Sequence, residues 1–297
     1  CQNCLGKVQK GPHRNSWTPH APNAEGRFGQ EGYLLPRSGR IFLYCQCRPR
    51  RMCQVKSQKA GLYHHRAEIG RQEVTSSIPM AAVFGCAGPE LQAEEAAFFR
   101  DANPLGFILF ARNCKSPKQI RRLTTALRMT IGRADAPILM DHEGGRVQRL
   151  PSPPWREVAA PAQFGMLPEN VAAAAVTINA RLMAFELLEL GVDVNCVPCL
   201  DVKDPEGHQV IGDRAYSDNP TVVAKLGRAA ANGLLAGGVL PIIKHIPGHG
   251  RATVDSHSEL PIVRADGQEL VDRDFHPFQD LADLPLGMTA HVLYSSI

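Results

Sequence analysis

Four short stretches of the sequence collect residue types that do chemistry. The first is Asp141-His-Glu-Gly-Gly-Arg-Val-Gln-Arg149. Its two glycines permit a tight turn, and the turn presents carboxylates and guanidiniums together. A carboxylate accepts hydrogen bonds from vicinal hydroxyls and an arginine donates through a rigid fork, a combination that suits a sugar. Taken alone, a surface salt-bridge loop is the simpler reading. The second stretch is Lys244-His-Ile-Pro-Gly-His-Gly250. His245 and His249 lie four apart, a spacing that on a helix suits zinc. Pro247, Gly248 and Gly250 break any helix there, so the segment reads as a rigid loop displaying Lys244 and His245 at a strand end. The third is Asp255-Ser-His257. A carboxylate two residues from an imidazole can hold one ring nitrogen, fix the tautomer and stabilise the imidazolium, as a histidine acid/base requires. An isolated Asp-x-His is more often a cap or a loop hydrogen bond. The fourth, Ile211-Gly-Asp-Arg214, says little by itself.

The elements that must position these groups alternate in type. Leu105–Phe110 is a short apolar run, read as a buried strand. Ser116-Pro117 then supplies an N-cap and a proline at the first helical position, ahead of Ile120, Leu123, Leu127 and Ile131 at helical spacing. Further strands are predicted at Pro137–Met140, Val192–Val197, Val239–Ile243 and Leu286–Val292, with helices over Pro168–Leu190, Pro220–Ala236 and Gln268–Leu281. Strands alternating with helices imply right-handed βαβ units and a parallel sheet. Each strand runs into polar residues, Arg112-Asn113, Asp141, Asn195, Lys244-His245 and His291 in turn, which is the pattern of the active face of a (β/α)8 TIM-barrel. No Gly-x-Gly-x-x-Gly turn follows the first strand, which argues against a doubly wound sheet. Five βα units are counted, so the barrel is incomplete, and its first and fifth strands are expected to be unpaired edges.

Charge divides the chain of 297 residues unevenly. Residues 1–79 carry 13 Lys/Arg against four Glu and no Asp, a net +9, which leaves −5 for the rest of a chain whose total is +4. The ordered domain is expected over 80–297, with 1–79 an extension that is disordered or not native. Cys1, Cys4, Cys45, Cys47, Cys53 and His64-His65 fit no tidy zinc set. Cys86, Cys114, Cys196 and Cys199 sit in apolar stretches and read as reduced, buried thiols. No uninterrupted run of about 18 apolar residues is present, and neither a membrane nor a nucleic-acid partner is expected.

Together the four motifs resemble glycoside hydrolase family three, and within it the single-domain bacterial β-N-acetylglucosaminidases, or β-hexosaminidases. The resemblance rests on Lys244-His-Ile-Pro-Gly-His-Gly250 followed by Asp255-Ser-His257, with Asp141 to Arg149 and Gly212-Asp-Arg214 beside them, and covers about residues 80–297. It implies that Asp141 and Arg149 hold sugar hydroxyls, that Arg214, Lys244 and His245 complete the substrate pocket, and that His257, supported by Asp255, is the general acid/base. That departs from the usual pair of carboxylates. Ile246 stands where Phe is common, and His142 where Gln is common. The family's nucleophile is an aspartate on a later strand, expected beyond residue 297, so a chain ending here would be inactive alone. The family's chemistry is retaining hydrolysis of terminal β-linked N-acetylglucosamine from peptidoglycan-derived muropeptides, through a covalent glycosyl-aspartate. The resemblance implies a cytoplasmic monomer with no metal and no cofactor. Two competing readings are a metal-dependent TIM-barrel hydrolase using His245, His249, Asp255 and His257, and a non-catalytic sugar-binding remnant.

Overall fold

A computed structural model of the chain describes the backbone of Ile41–Leu43 and residues 78–297 in full. The zinc reading of the early cysteines and of His64-His65, and most of the 1–79 extension, lie outside the described residues. In chain order the elements are β1 (Ile41–Leu43), β2 (Met80–Gly85), α1 (Ala93–Ala102), β3 (Pro104–Leu109), α2 (Pro117–Thr130), β4 (Ile138–Met140), the hairpin of β5 (His142–Gly144) and β6 (Val147–Gln148), and α3 (Pro161–Gly165). There follow α4 (Glu169–Leu188), β7 (Val194–Asn195), α5 (Pro220–Ala236), β8 (Leu240–Ile246), β9 (Ile262–Val263), α6 (Gly267–Glu269), α7 (His276–Asp280), β10 (Leu286–Thr289) and β11 (Leu293–Tyr294).

Seven strands form one curled sheet in the order β1-β10-β8-β7-β4-β3-β2. Every pairing in it is parallel. From β2 onward each strand lies beside the one before it, with a helix carried across the outer face, which is the winding of part of a (β/α)8 barrel. From Met80 the sheet holds six strands rather than the five counted from residue patterning. The additional one is β2, a short segment whose residues stay half-exposed. The two strands expected as free edges are both covered. β2 pairs with β3, and β1 pairs with β10 in the register Ile41↔Leu286 to Leu43↔Met288.

Strand alternation sorts the apolar residues onto two faces. Phe107, Leu109, Ile138 and Met140 face outward into the main core, where they join Ile120, Leu123 and Leu127 of α2, Met183 and Leu187 of α4, and Leu234 of α5. Ile108, Leu139, Val194, Cys196 and Ile242 face the barrel interior as a separate cluster. The helices start where their caps dictate. The Ser116 hydroxyl accepts from the Gln119 amide at 3.3 Å, and Asn219 caps Thr221 at 2.9 Å, each with a proline at the next position. Between α4 and α5 the spacing is set by small residues: a Cβ on Gly233 would lie 2.8 Å from the Ala180 methyl.

The helix expected over Gln268–Leu281 is broken. Leu270–Asp274 forms a π turn between α6 and α7, and the Phe275 amide donates to the Leu270 carbonyl at 2.8 Å. Pro277 is the physical reason. It has no amide to donate, and its ring would collide with the carbonyl four residues back in a continuous α-helix. At β8 the register against β10 slips by one residue. Met288 faces Lys244 but Thr289 faces Ile246, so His245 is an extra, bulged residue.

Candidate active site

The strand ends bring acids and bases from distant parts of the sequence into one network. Asp141 follows β4 directly, and the hairpin that begins next to it turns at Gly144 and Gly145, with φ of +103° and +54°. Gly145 donates its amide to the Val158 carbonyl at 2.8 Å, which ties the hairpin to the chain beyond it. A side chain at Gly144 would overlap the Ala159 carbonyl, so the turn needs glycine for space as well as for φ. Lys244, on β8, is 1% exposed. Its ammonium donates to Asp141 at 2.8 Å and to Glu143 at 2.5 Å. Arg214 grips Glu143 with both ends of its fork, Nε to Oε2 at 2.8 Å and Nη2 to Oε1 at 2.9 Å. Arg149 reaches the other oxygen of Asp141 at 3.5 Å.

A second arm extends the network to His245. Its Nδ1 lies 2.6 Å from Asp201 Oδ2, and its Nε2 lies 3.4 Å from Arg214 Nη2. Asp201 Oδ1 accepts the His249 amide at 2.6 Å, and Oδ2 accepts the Cys199 thiol at 3.1 Å. The Lys244–His245 peptide is cis. Asp141, Arg149, Arg214, Lys244 and His245 are thus connected side chain to side chain. Two members, Glu143 and Asp201, were not singled out from sequence. Glu143 lies inside the quoted glycine hairpin. Asp201 had one signal, a carboxylate directly after the apolar Val192–Leu200 stretch.

The charges in this network sustain one another. Burial would raise the pKa of Asp141, but the Lys244 ammonium, with Arg149 and Arg214 behind it, holds it well below the usual carboxylate range. Burial is likewise outweighed at Glu143 by Lys244 and Arg214, and at Asp201 by His245. Burial alone would lower Lys244, yet Asp141 and Glu143 raise it above its ordinary value. His142 behaves oppositely. Burial pushes it down to about 4, Arg156 and Arg149 add to the shift, and neither ring nitrogen has a hydrogen-bond partner, so it stands neutral beside the site.

His257 and Asp255 lie on the rim instead. They occupy the loop after β8, where His257 Nδ1 is 2.7 Å from Asp255 Oδ1 and the same oxygen accepts the His257 amide at 2.9 Å. The His257 side chain is 74% exposed. This loop leans on the segment after β7, through the His208 amide and the Ala252 carbonyl at 2.7 Å. The close approach there requires Gly250, since a Cβ would overlap the Val202 carbonyl oxygen. The dyad therefore forms locally, on loops that follow the same strand ends as the network, and its ring is free to meet a ligand from solvent.

Among the described residues, one trio has three ligand-type atoms close enough to hold a metal: Cys199, Asp201 and His245. It is not the set of His245, His249, Asp255 and His257 suggested by spacing. Its Asp201–His245 contact of 2.6 Å is a direct hydrogen bond, shorter than the gap between two donors on one zinc ion, and it gives the trio a different task, that of orienting His245.

The model of the glycosyl hydrolase family 3 N terminal domain matches residues 69–297. A β-hexosaminidase of Methylococcus capsulatus is 42% identical over 217 residues, which cover 72% of this chain and 64% of the relative. One of Alkalilimnicola ehrlichii is 38% identical over 220 residues, covering 72% and 62%. The fold superposes on NagZ from Neisseria gonorrhoeae in complex with N-trifluoroacetyl-D-glucosamine with a TM-score of 0.68 at 32% identity, covering 74% of this chain and 67% of that one. The chain spans less than two thirds of the length of the two curated relatives.

Proposed function

Because the chain belongs to glycosyl hydrolase family 3, we propose that it carries the sugar-binding pocket and the acid/base of a β-N-acetylhexosaminidase, an enzyme that removes terminal β-linked N-acetylglucosamine with retention of configuration. The observation that carries this reading is the buried network of Asp141, Glu143, Arg149, Arg214 and Lys244 at the strand ends. It offers fixed acceptors and donors to an uncharged, hydroxyl-rich ring. The ligand of the Neisseria relative, an N-acylated glucosamine, supports the same sugar class. We place the substrate among peptidoglycan-derived muropeptides in the cytoplasm.

In the first step, protonated His257 gives its Nε2 proton to the departing glycosidic oxygen while a carboxylate attacks the anomeric carbon. In the second, the now neutral imidazole takes a proton from the water that displaces the carboxylate. Asp255 keeps Nδ1 occupied throughout, which leaves Nε2 as the atom that exchanges protons. Its role is positioning. The attacking carboxylate is not assigned to Asp141, Glu143 or Asp201. Each of these is committed to a cation or an imidazole, and a nucleophile needs a free oxygen.

The test is an assay of this chain against an aryl N-acetyl-β-glucosaminide, paired with N-acetylglucosamine binding measured by calorimetry. The expected result is binding that Arg214→Ala or Asp141→Ala removes, with no turnover. Turnover by the chain itself would show that one of the three carboxylates attacks. Absence of binding in a folded protein would remove the sugar pocket altogether.

A further inference from the structure

The outward face of α4 is the wrong kind of surface for a barrel helix left in water. On α2 the corresponding face carries Lys118 and Arg122, as expected for the solvent side of an amphipathic helix. On α4 it carries Val171, Ala174, Ile178, Leu182 and Phe185, at successive helical turns. Ile178 is 62% exposed and Phe185 50%. Between Asn170 and Leu188 the one charge on this face is Arg181, and its guanidinium lies 5.7 Å from the centre of the Phe185 ring. Neighbouring barrel helices do not explain the stripe. α4 already has α5 on one side, and on the other the Thr124 hydroxyl of α2 donates to the Leu190 carbonyl at 2.8 Å.

We propose that this face is where a second copy of the chain docks, α4 against α4, antiparallel about a two-fold axis at Ile178. Two features select a second copy over other occupants. The first is area. With Met166 and Leu188 at its ends, the stripe exposes roughly 600 Å² per copy, so full coverage of both stripes reaches about 1,200 Å², the lower bound for a specific interface. The second is self-complementarity. In an antiparallel pair centred on Ile178, residues whose numbers sum to twice 178 face each other. Val171 then meets Phe185, Ala174 meets Leu182, Ala175 meets Arg181, and Ile178 meets itself. Ala174 and Ala175 leave room for Leu182 and Arg181, Val171 packs on Phe185, and Ile178 meets its own copy on the axis, so each contact is made twice, as an isologous interface requires.

The pairing can be tested by sedimentation equilibrium on the full chain across the micromolar range. The expected mass is twice the 32.4 kDa of one chain at the upper end, falling toward one chain on dilution. Ile178→Glu puts two carboxylates face to face on the axis and should leave a single-chain mass throughout. Ala175→Glu sets a carboxylate opposite Arg181 of the second copy, so the doubled mass should persist. Adding Arg181→Glu to Ala175→Glu should abolish it. An apolar or lipid occupant would lose affinity with Ala175→Glu as with Ile178→Glu, which separates it from a second copy. Circular dichroism checks that each variant is folded, and Met129→Glu on α2 serves as an exposed control. A single-chain mass for the parent at every concentration overturns the proposal. So does a doubled mass that survives Ile178→Glu, or one lost on Ala175→Glu in a folded protein.

Discussion

Replacing Lys244 by methionine is the sharpest single perturbation of the site. Methionine matches the length of the lysine stem and keeps its packing, so the change isolates the charge. In the native protein the ammonium is 1% exposed and shared between Asp141 at 2.8 Å and Glu143 at 2.5 Å. Removing one partner of a buried pair costs about 3–5 kcal/mol, because the charge left behind has lost its solvent and its counter-ion together. Glu143 keeps both bonds to Arg214, so most of the loss falls on Asp141, left with Arg149 at 3.5 Å. For a domain of this size that loss corresponds to a fall of about 6–20 °C in Tm. The pH dependence follows from the shift at Asp141. Its native pKa lies below the unfolded value, so its stabilisation is present above about pH 4 and is lost as pH falls through the depressed native value. Without Lys244 burial dominates and the native pKa of Asp141 rises. Protonation then relieves the strain, and the variant should be less destabilised at about pH 5 than at about pH 7.5. Urea unfolding at both values, for Lys244→Met alone and combined with Asp141→Asn, measures this. The double variant should recover much of the loss. A loss below about 1 kcal/mol at the higher pH, or equal losses in both backgrounds, would refute the view that Lys244 compensates buried charge.

Three further outcomes are expected. In any form of the protein that hydrolyses aryl N-acetylglucosaminides, His257→Ala should lower kcat by about 10²–10⁴-fold on poor leaving groups and less on good ones, since the latter depart without a proton; equal losses in kinetics across leaving groups would argue against the acid role. Gly250→Ala should destabilise the folded state by about 2–4 kcal/mol in a urea melt, because the new methyl overlaps the Val202 carbonyl and the loop bearing His257 must move. Cys86 and Cys114, whose thiols burial raises to about 11 and about 12, should resist alkylation near pH 8 until denaturant is added, as mass spectrometry of the labelled peptides would report.

Sequence legibility divides along the line between local and distant causes. The helix start at Ser116-Pro117 was readable because a cap and its proline are adjacent in the chain. The polar strand ends were readable because a strand that stops in Asp141, or turns polar at Lys244, announces itself in a few letters. That these ends meet followed from the alternation of strand and helix, which fixes where each βα unit must lie. Glu143 and Asp201 were missed because nothing near them in sequence names their partners. Arg214 is 71 residues from Glu143, and His245 is 44 from Asp201. β2 was missed because Met80–Gly85 stays half-exposed, and its pairing with β3 is not written in its own residues.

The slip in register on β8 has a consequence for how the pocket is built. Along a regular strand, consecutive side chains project to opposite sides, so a sheet can offer a cavity only every other letter of a strand's text. At Lys244 and His245 two consecutive letters enter one polar network, in which Arg214 bonds Glu143, the partner of Lys244, and lies 3.4 Å from the ring of His245 itself. The bulge suspends the alternation at one point, between Met288 and Thr289 of the adjoining strand. Deleting a single residue there would restore an unbroken ladder and turn one of the two side chains away from the pocket. An irregularity one residue long is therefore as much a requirement of this site as any of the charges it gathers.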